Sequence, residues 1–163
     1  ALVCKPKKPK CIDCIFNETC YAFNRSVVNE LPRKLKKIKV TNRYINFLII
    51  SHKDIVYIIK KQKGIWSGLY TFPFIEHSKM LDNKDVVLSK EWSDFFTNIN
   101  FVIHHVSTCI IHKLSHQKLH VKFWHLKSDL LNLEGYKPIK FSKLNEYPVS
   151  RLIDIYLADN NIC

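Results

Sequence analysis

The chain has 163 residues, 47% of them hydrophobic, with three glycines, six prolines and six cysteines. That length suits one ordinary domain with a short appendage and can bury a real core, while so few glycines and prolines exclude collagen-like and linker-type proteins. Lysine and arginine total 26 against 14 aspartates and glutamates, a formal charge of +12, and no apolar run reaches the roughly 18 residues of a membrane span. Residues 1–43 hold 11 basic and 3 acidic side chains and residues 44–163 hold 15 and 11, so two thirds of the excess lies in the first quarter. Such concentration is the footprint of a nucleic-acid or other anionic contact; a solvated basic tail is the plain alternative. The opening Ala1-Leu2-Val3-Cys4-Lys5 lacks an initiator methionine and a secretion signal, which predicts that Ala1 is a cut edge.

Four of the six cysteines come first along the chain, at Cys4, Cys11, Cys14 and Cys20, a C-x6-C-x2-C-x5-C spacing. Nothing marks a secreted chain, so clustered thiols point to metal rather than to disulfides. Zinc sites usually take two C-x2-4-C knuckles, and only one is present here. Four cysteines in a single short loop suit an iron–sulfur cubane with one thiolate per iron, and zinc is the alternative. The spacing differs from both common ferredoxin patterns, and an electron carrier would usually be acidic rather than +12. Cys109 reads as a small core residue, and Cys163 has no inferable role.

Leu31–Val40 is basic without a helical face and reads as a linker. Tyr44–Ser51 and Ile55–Lys60 then read as strands, as do Phe101–His112 and Lys118–Leu126 on either side of a polar break at Ser115-His116-Gln117. In the last of these Leu119, Val121 and Phe123 share one face, and Lys118, His120 and Lys122 the other. One helix starts at Ser89 as N-cap, with Trp92, Phe95, Phe96 and Ile99 as its stripe. A second has Pro148 in its first turn and Val149, Leu152, Ile153 and Tyr156 as its stripe. His112, His116 and His120 recur every four residues, which on a helix would suggest a metal site; in strands they read as half-exposed surface residues.

The cysteine spacing resembles the cluster loop of the endonuclease III class of helix-hairpin-helix DNA glycosylases. Lys5, Lys7, Lys8 and Lys10 lie between the first two cysteines, interleaved with Pro6 and Pro9, and are candidate DNA-phosphate contacts held at low ordering cost. Further on, Lys63-Gly64-Ile65-Trp66-Ser67-Gly68-Leu69-Tyr70-Thr71-Phe72-Pro73 resembles the W…FP segment that precedes the active site of Nudix-fold proteins. No E-x-x-E-E follows, so the fold is expected without the magnesium-binding hydrolase site. A cluster loop, a basic connector and a Nudix-like domain lacking that box together are similar to the C-terminal part of A/G-specific adenine DNA glycosylases, the MutY family. That family reads oxidised guanine with a Phe-Ser-His loop, and Leu114-Ser115-His116 stands where such a loop belongs, Leu replacing the aromatic wedge.

The resemblance implies an α+β chain with a Nudix-like mixed sheet and about two helices. It implies a cluster loop at 1–23, a basic linker at 24–43 and a mismatch-recognition domain at 44–163. Cys4, Cys11, Cys14 and Cys20 would hold a 4Fe–4S cluster, and Leu114, Ser115 and His116 would read the lesion. The full-length protein would be a base-excision-repair enzyme that flips and removes adenine opposite 8-oxoguanine, with its catalytic residues upstream of Ala1. It would act on double-stranded DNA carrying that mismatch, as a monomer, without a membrane, in the bacterial cytoplasm at the nucleoid. A zinc-binding nucleic-acid module and a Nudix hydrolase are the competing readings.

Overall fold

The computed structural model describes residues 2–5, 7–31, 39–97, 99–129 and 132–160. They fall into two compact units, Ala1–Lys39 and Val40–Cys163. In the first, a series of tight turns leads into a single helical turn, α1 (Tyr21–Asn24). The second contains, in order, β1 (Thr41–His52), β2 (Ile55–Lys60), β3 (Tyr70–Thr71), β4 (Phe74–His77), α2 (Asn83–Val87), α3 (Lys90–Phe95), β5 (Phe101–Val106), β6 (Ile110–Lys113), β7 (Gln117–Ser128), β8 (Lys137–Lys140), a 3-10 helix (Phe141–Glu146) and α4 (Arg151–Asp159). No described helix is long and apolar enough to cross a membrane.

The eight strands make one sheet in the order β3-β2-β1-β7-β5, with β4 also on β1, β6 on β7 and β8 on β2. Its centre is the long parallel pair β1–β7, in register from Thr41 opposite Gln117 to Ser51 opposite Lys127; the other pairings are antiparallel. Both faces are covered, which explains why β1 reads as a nearly unbroken apolar run instead of alternating. Ile45, Phe47, Ile49, Leu119, Val121 and Phe123 meet Leu152, Ile153, Tyr156 and Leu157 of α4 on one face. Leu48, Ile50, Trp124 and Leu126 meet Val86 of α2, Trp92 of α3 and its C-cap Phe96 on the other. Phe123 stacks on Phe47 at 5.2 Å and on Tyr156 at 3.7 Å, fixing α4 against the sheet centre.

Ser89 caps α3 as expected, its hydroxyl accepting from the Trp92 N–H at 3.2 Å, but the helix ends at Phe95 and Ile99 lies beyond it. The last helix begins later than Pro148 suggests: Ser150 is its N-cap, and Val149 instead bridges Tyr70 as extended chain. The run 101–112 is two strands, not one. Ser107 breaks it by pairing through both its groups with Phe123: its hydroxyl accepts the Phe123 N–H and its own N–H donates to the Phe123 carbonyl, each at 2.9 Å. Cys109 sits half-buried in that break. β1 starts at Thr41, inside the expected linker, because β7 pairs with its polar Thr-Asn-Arg start; residues 32–38 of the linker, and Cys163, lie outside the described residues. The short α1, α2, β3, β4 and β8 and the 3-10 helix carry too few residues for a readable period.

Candidate nucleic-acid interface and cysteine loop

In the first unit, hydrogen bonds repeat every third residue: Cys14 N–H to the Cys11 carbonyl (3.2 Å), Asn17 to Cys14 (3.0 Å) and Cys20 to Asn17 (3.3 Å). Successive tight turns therefore bring positions 11, 14, 17 and 20 to one side, and the Lys10 N–H to Val3 carbonyl bond (3.1 Å) closes the loop that carries Cys4. All four thiols, with Asn17, line one cavity of about 40 Å³, and none is in a disulfide. The signal for Asn17 was present in the sequence as C-x2-C-x2-N-x2-C. Burial, then the nearby Cys20, Cys4 and Cys14 sulfurs, push the Cys11 thiol above its ordinary pKa. A cation beside it would favour the Cys11 thiolate. Among the described residues no three Cys, His, Asp or Glu stand close enough to ligate one metal ion. The four cysteines thus share the lining of one cavity without forming a closed ligand set. Lys5, Lys7, Lys8 and Lys10 are all exposed, and Lys8 takes a left-handed φ of 50°.

In the second unit Ser115 and His116 form the two-residue tip of the β6–β7 hairpin, closed by the Leu114 N–H donating to the Gln117 carbonyl at 2.8 Å. Ser115 and His116 are exposed; Leu114 is half-buried and packs against the α4-side core. The tip is tied down by its backbone: the Thr41 N–H and hydroxyl both donate to the His116 carbonyl, at 3.1 and 3.3 Å. Next to it, Arg43 grips Glu76 with two 2.6 Å hydrogen bonds and reaches Gln117 at 3.2 Å. The Glu76 hydrogen bond raises the Arg43 pKa, and burial followed by the Arg43 charge lowers that of Lys61.

The W…FP segment packs on the same face of the hairpin. Gly64, Trp66 and Gly68 take φ values of 78°, 64° and 84°, and this left-handed path sets the Trp66 ring 6.3 Å from Phe47 and 6.5 Å from His112. For a tryptophan that conformation stores about 1–2 kcal/mol of strain, held by its packing. The spaced histidines do not converge: His112 pairs with Leu119 on the α4 face, whereas His120 pairs with Ile111 and stacks on Tyr44 across the sheet.

No family model matches the chain. It is 30% identical over 145 residues to an adenine DNA glycosylase of Buchnera aphidicola subsp. Schizaphis graminum, covering 88% of this chain and 38% of that protein. The C-terminal domain of mouse MUTYH, solved in complex with human PCNA, matches with a TM-score of 0.53 at 13% identity, over 73% of this chain and 88% of that one. The E. coli ORF135 protein matches with a TM-score of 0.50 at 13% identity, over 73% and 91%. Sequence and fold point together to the C-terminal part of adenine DNA glycosylases. At such low identities the solved structures show the fold alone, which is α+β and Nudix-like. The chain spans 38% of the length of its glycosylase relative, so the part of the fold described above is one portion of what that relative contains.

Proposed function

We propose that this chain is the cluster-bearing and mismatch-reading part of an adenine DNA glycosylase. The full-length protein would hydrolyse the N-glycosidic bond of adenine paired with 8-oxoguanine during base-excision repair. The observation that carries the reading is the 30% identity to an adenine DNA glycosylase over 88% of the chain; the four cysteines lining one cavity and the exposed Ser-His hairpin tip support it. Cys4, Cys11, Cys14 and Cys20 would hold a 4Fe–4S cluster, which when bound would tie the loop's turns into one body, since such ligation stands in for a hydrophobic core in a short segment. Lys5, Lys7, Lys8 and Lys10 would meet DNA phosphates. Ser115, whose hydroxyl both donates and accepts, would face the N7–H and C8 carbonyl that distinguish 8-oxoguanine from guanine, with His116 beside it and Leu114 supporting the turn from the core. The bond-breaking groups belong to the part of the protein that this chain does not span. The protein would work on duplex DNA as a monomer, in the cytoplasm at the nucleoid.

Single-turnover adenine release tests this. The full-length protein should excise adenine from an 8-oxoguanine:adenine duplex, and the 163-residue chain should bind the same duplex with steep salt dependence yet release no adenine. A full-length protein that binds the duplex but leaves adenine in place would refute it.

A further inference from the structure

The register of the sheet brings together a set of groups that the Ser-His tip does not use. Lys113 faces Lys118 directly across the β6–β7 hairpin, with Asn42 beside Lys118 on β1. One step further along, Ile111, His120 and Tyr44 form the next row, with the His120 ring stacked on Tyr44 at 4.9 Å and 25° and its Nε2 3.2 Å from Asn42 Oδ1. Strand alternation puts both rows on the α2–α3 side of the sheet. The helices do not close over them: Lys113, Asn42 and Ile111 are exposed, and Lys118, Tyr44 and His120 are half-exposed. The covering begins one row on, where Lys122 donates to Asn83 Oδ1 at 2.6 Å and to the Leu81 carbonyl at 3.4 Å.

Two lysines directly opposite each other destabilise a sheet unless an anion lies between them. None of the ion pairs among the described residues involves Lys113 or Lys118, and the one nearby carboxylate on β4, Glu76, pairs with Arg43, in the alternate row on the other face. The open face therefore combines two lysines outside the ion pairs of the described residues with a half-exposed, stacked ring pair. That combination matches a nucleic-acid strand, whose phosphates take the lysines and whose bases or sugars take the rings; an acidic peptide would use the lysines and leave the rings idle.

We infer that one DNA strand runs over this face, its phosphates on Lys113 and Lys118 and a base or sugar against the His120–Tyr44 pair. The inference rests on the DNA-binding reading above and names where on the domain the strand lies. It also gives the tip a reason for its position, because Ser115 and His116 stand immediately beyond the two lysines.

The test is fluorescence anisotropy of the whole chain with a labelled 8-oxoguanine:adenine duplex, at salt concentrations between about 50 and 200 mM. Lys113→Gln with Lys118→Gln should lower the slope of log affinity against log salt by roughly 0.9 for each phosphate that is no longer neutralised. Lys127→Gln with Lys143→Gln removes the same charge elsewhere on the domain and should leave the slope alone. His120→Ala should weaken binding roughly 5-fold or more at an unchanged slope, as expected when a ring stops stacking on a base and no charge is removed. Equal slopes for the two lysine pairs, with wild-type binding intact, would overturn the inference and leave the DNA-binding reading standing. So would an unchanged affinity in His120→Ala, which would reduce the face to an anion patch. Wild-type protein that does not bind duplex at all would remove the broader reading as well. Should a variant unfold, the Tyr44 and His120 ring resonances of the wild type still decide, by shifting or not shifting as duplex is added.

Discussion

Ser115 makes no hydrogen bond to any described residue and stands exposed at a turn tip, so replacing it costs the fold nothing that the structure can identify. Ser115→Ala should leave the unfolding midpoint unchanged while reducing the preference of the full-length protein for 8-oxoguanine:adenine over guanine:adenine, by about 1–3 kcal/mol or roughly 5- to 150-fold. Single-turnover rates on both mismatches measure it, and an intact preference would return Ser115 to the rank of a surface turn residue. His116 serves the turn differently from what its imidazole suggests, because its carbonyl holds Thr41; His116→Ala keeps that anchor. A second residue ties stability to pH. His125 Nε2 lies 2.7 Å from the Tyr156 hydroxyl, and burial first, then His105 and His104, hold its pKa below the ordinary value. In the unfolded chain a histidine titrates near ~6.5. Below that pH the unfolded state takes up a proton that the folded site resists, so the stability is full above it and is lost as pH falls. The thermal midpoint should drop between about pH 7 and pH 5, and His125→Gln, which can still bond Tyr156, should flatten the drop. An identical pH profile in the variant would exclude His125 as the cause.

At the scale of elements, α3 is bolted to the sheet by a buried polar chain with a consistent direction. The Trp124 indole N–H donates to Asn46 Oδ1 at 2.9 Å, and the Asn46 amide faces His77 Nδ1 at 3.2 Å. His77 Nε2 meets the Ser89 hydroxyl at 3.1 Å, which itself donates to the Val86 carbonyl at 2.6 Å. With the Asn46 oxygen committed to Trp124, its amide must donate to Nδ1, so the His77 proton sits on Nε2 and is given to Ser89. Asn46→Leu leaves the Trp124 N–H and His77 Nδ1 buried and unpaired, which should cost about 1–3 kcal/mol for each group. Chemical denaturation followed by tryptophan fluorescence would show the earlier transition; an unshifted midpoint would mean that the chain is not structural. Ser89 was recognisable as a helix cap from its place before Lys90-Glu91-Trp92. Its partnership with His77 was not, because it depends on β4 lying beside β1.

For the whole molecule, the two units have separate sources of order. Both apolar clusters lie entirely within the second, whereas in the first Ile12, Ile15 and Phe16 are exposed and the four cysteines, three of them half-buried, line a small cavity. Protein prepared without oxygen should be yellow-brown, with iron and sulfide near four each per chain, and Cys14→Ser should bleach it. The tryptophan-reported unfolding of the second unit should not move in that variant, since all three tryptophans, Trp66, Trp92 and Trp124, lie in its own core or against it. Stoichiometric zinc in a colourless protein would overturn the cluster assignment. What the sequence determined by itself is whatever depends on neighbours along the chain: the Ser89 cap, β2 to the residue, and the alternation that puts Leu119, Val121 and Phe123 inside. Tertiary structure decided the rest. The parallel pairing of β1 with β7, the split at Ser107, the packing of Leu114 against the core and the meeting of Tyr44 with His120 all join residues far apart in sequence, and no local period encodes which distant strand will supply the missing hydrogen bonds or cover an apolar face.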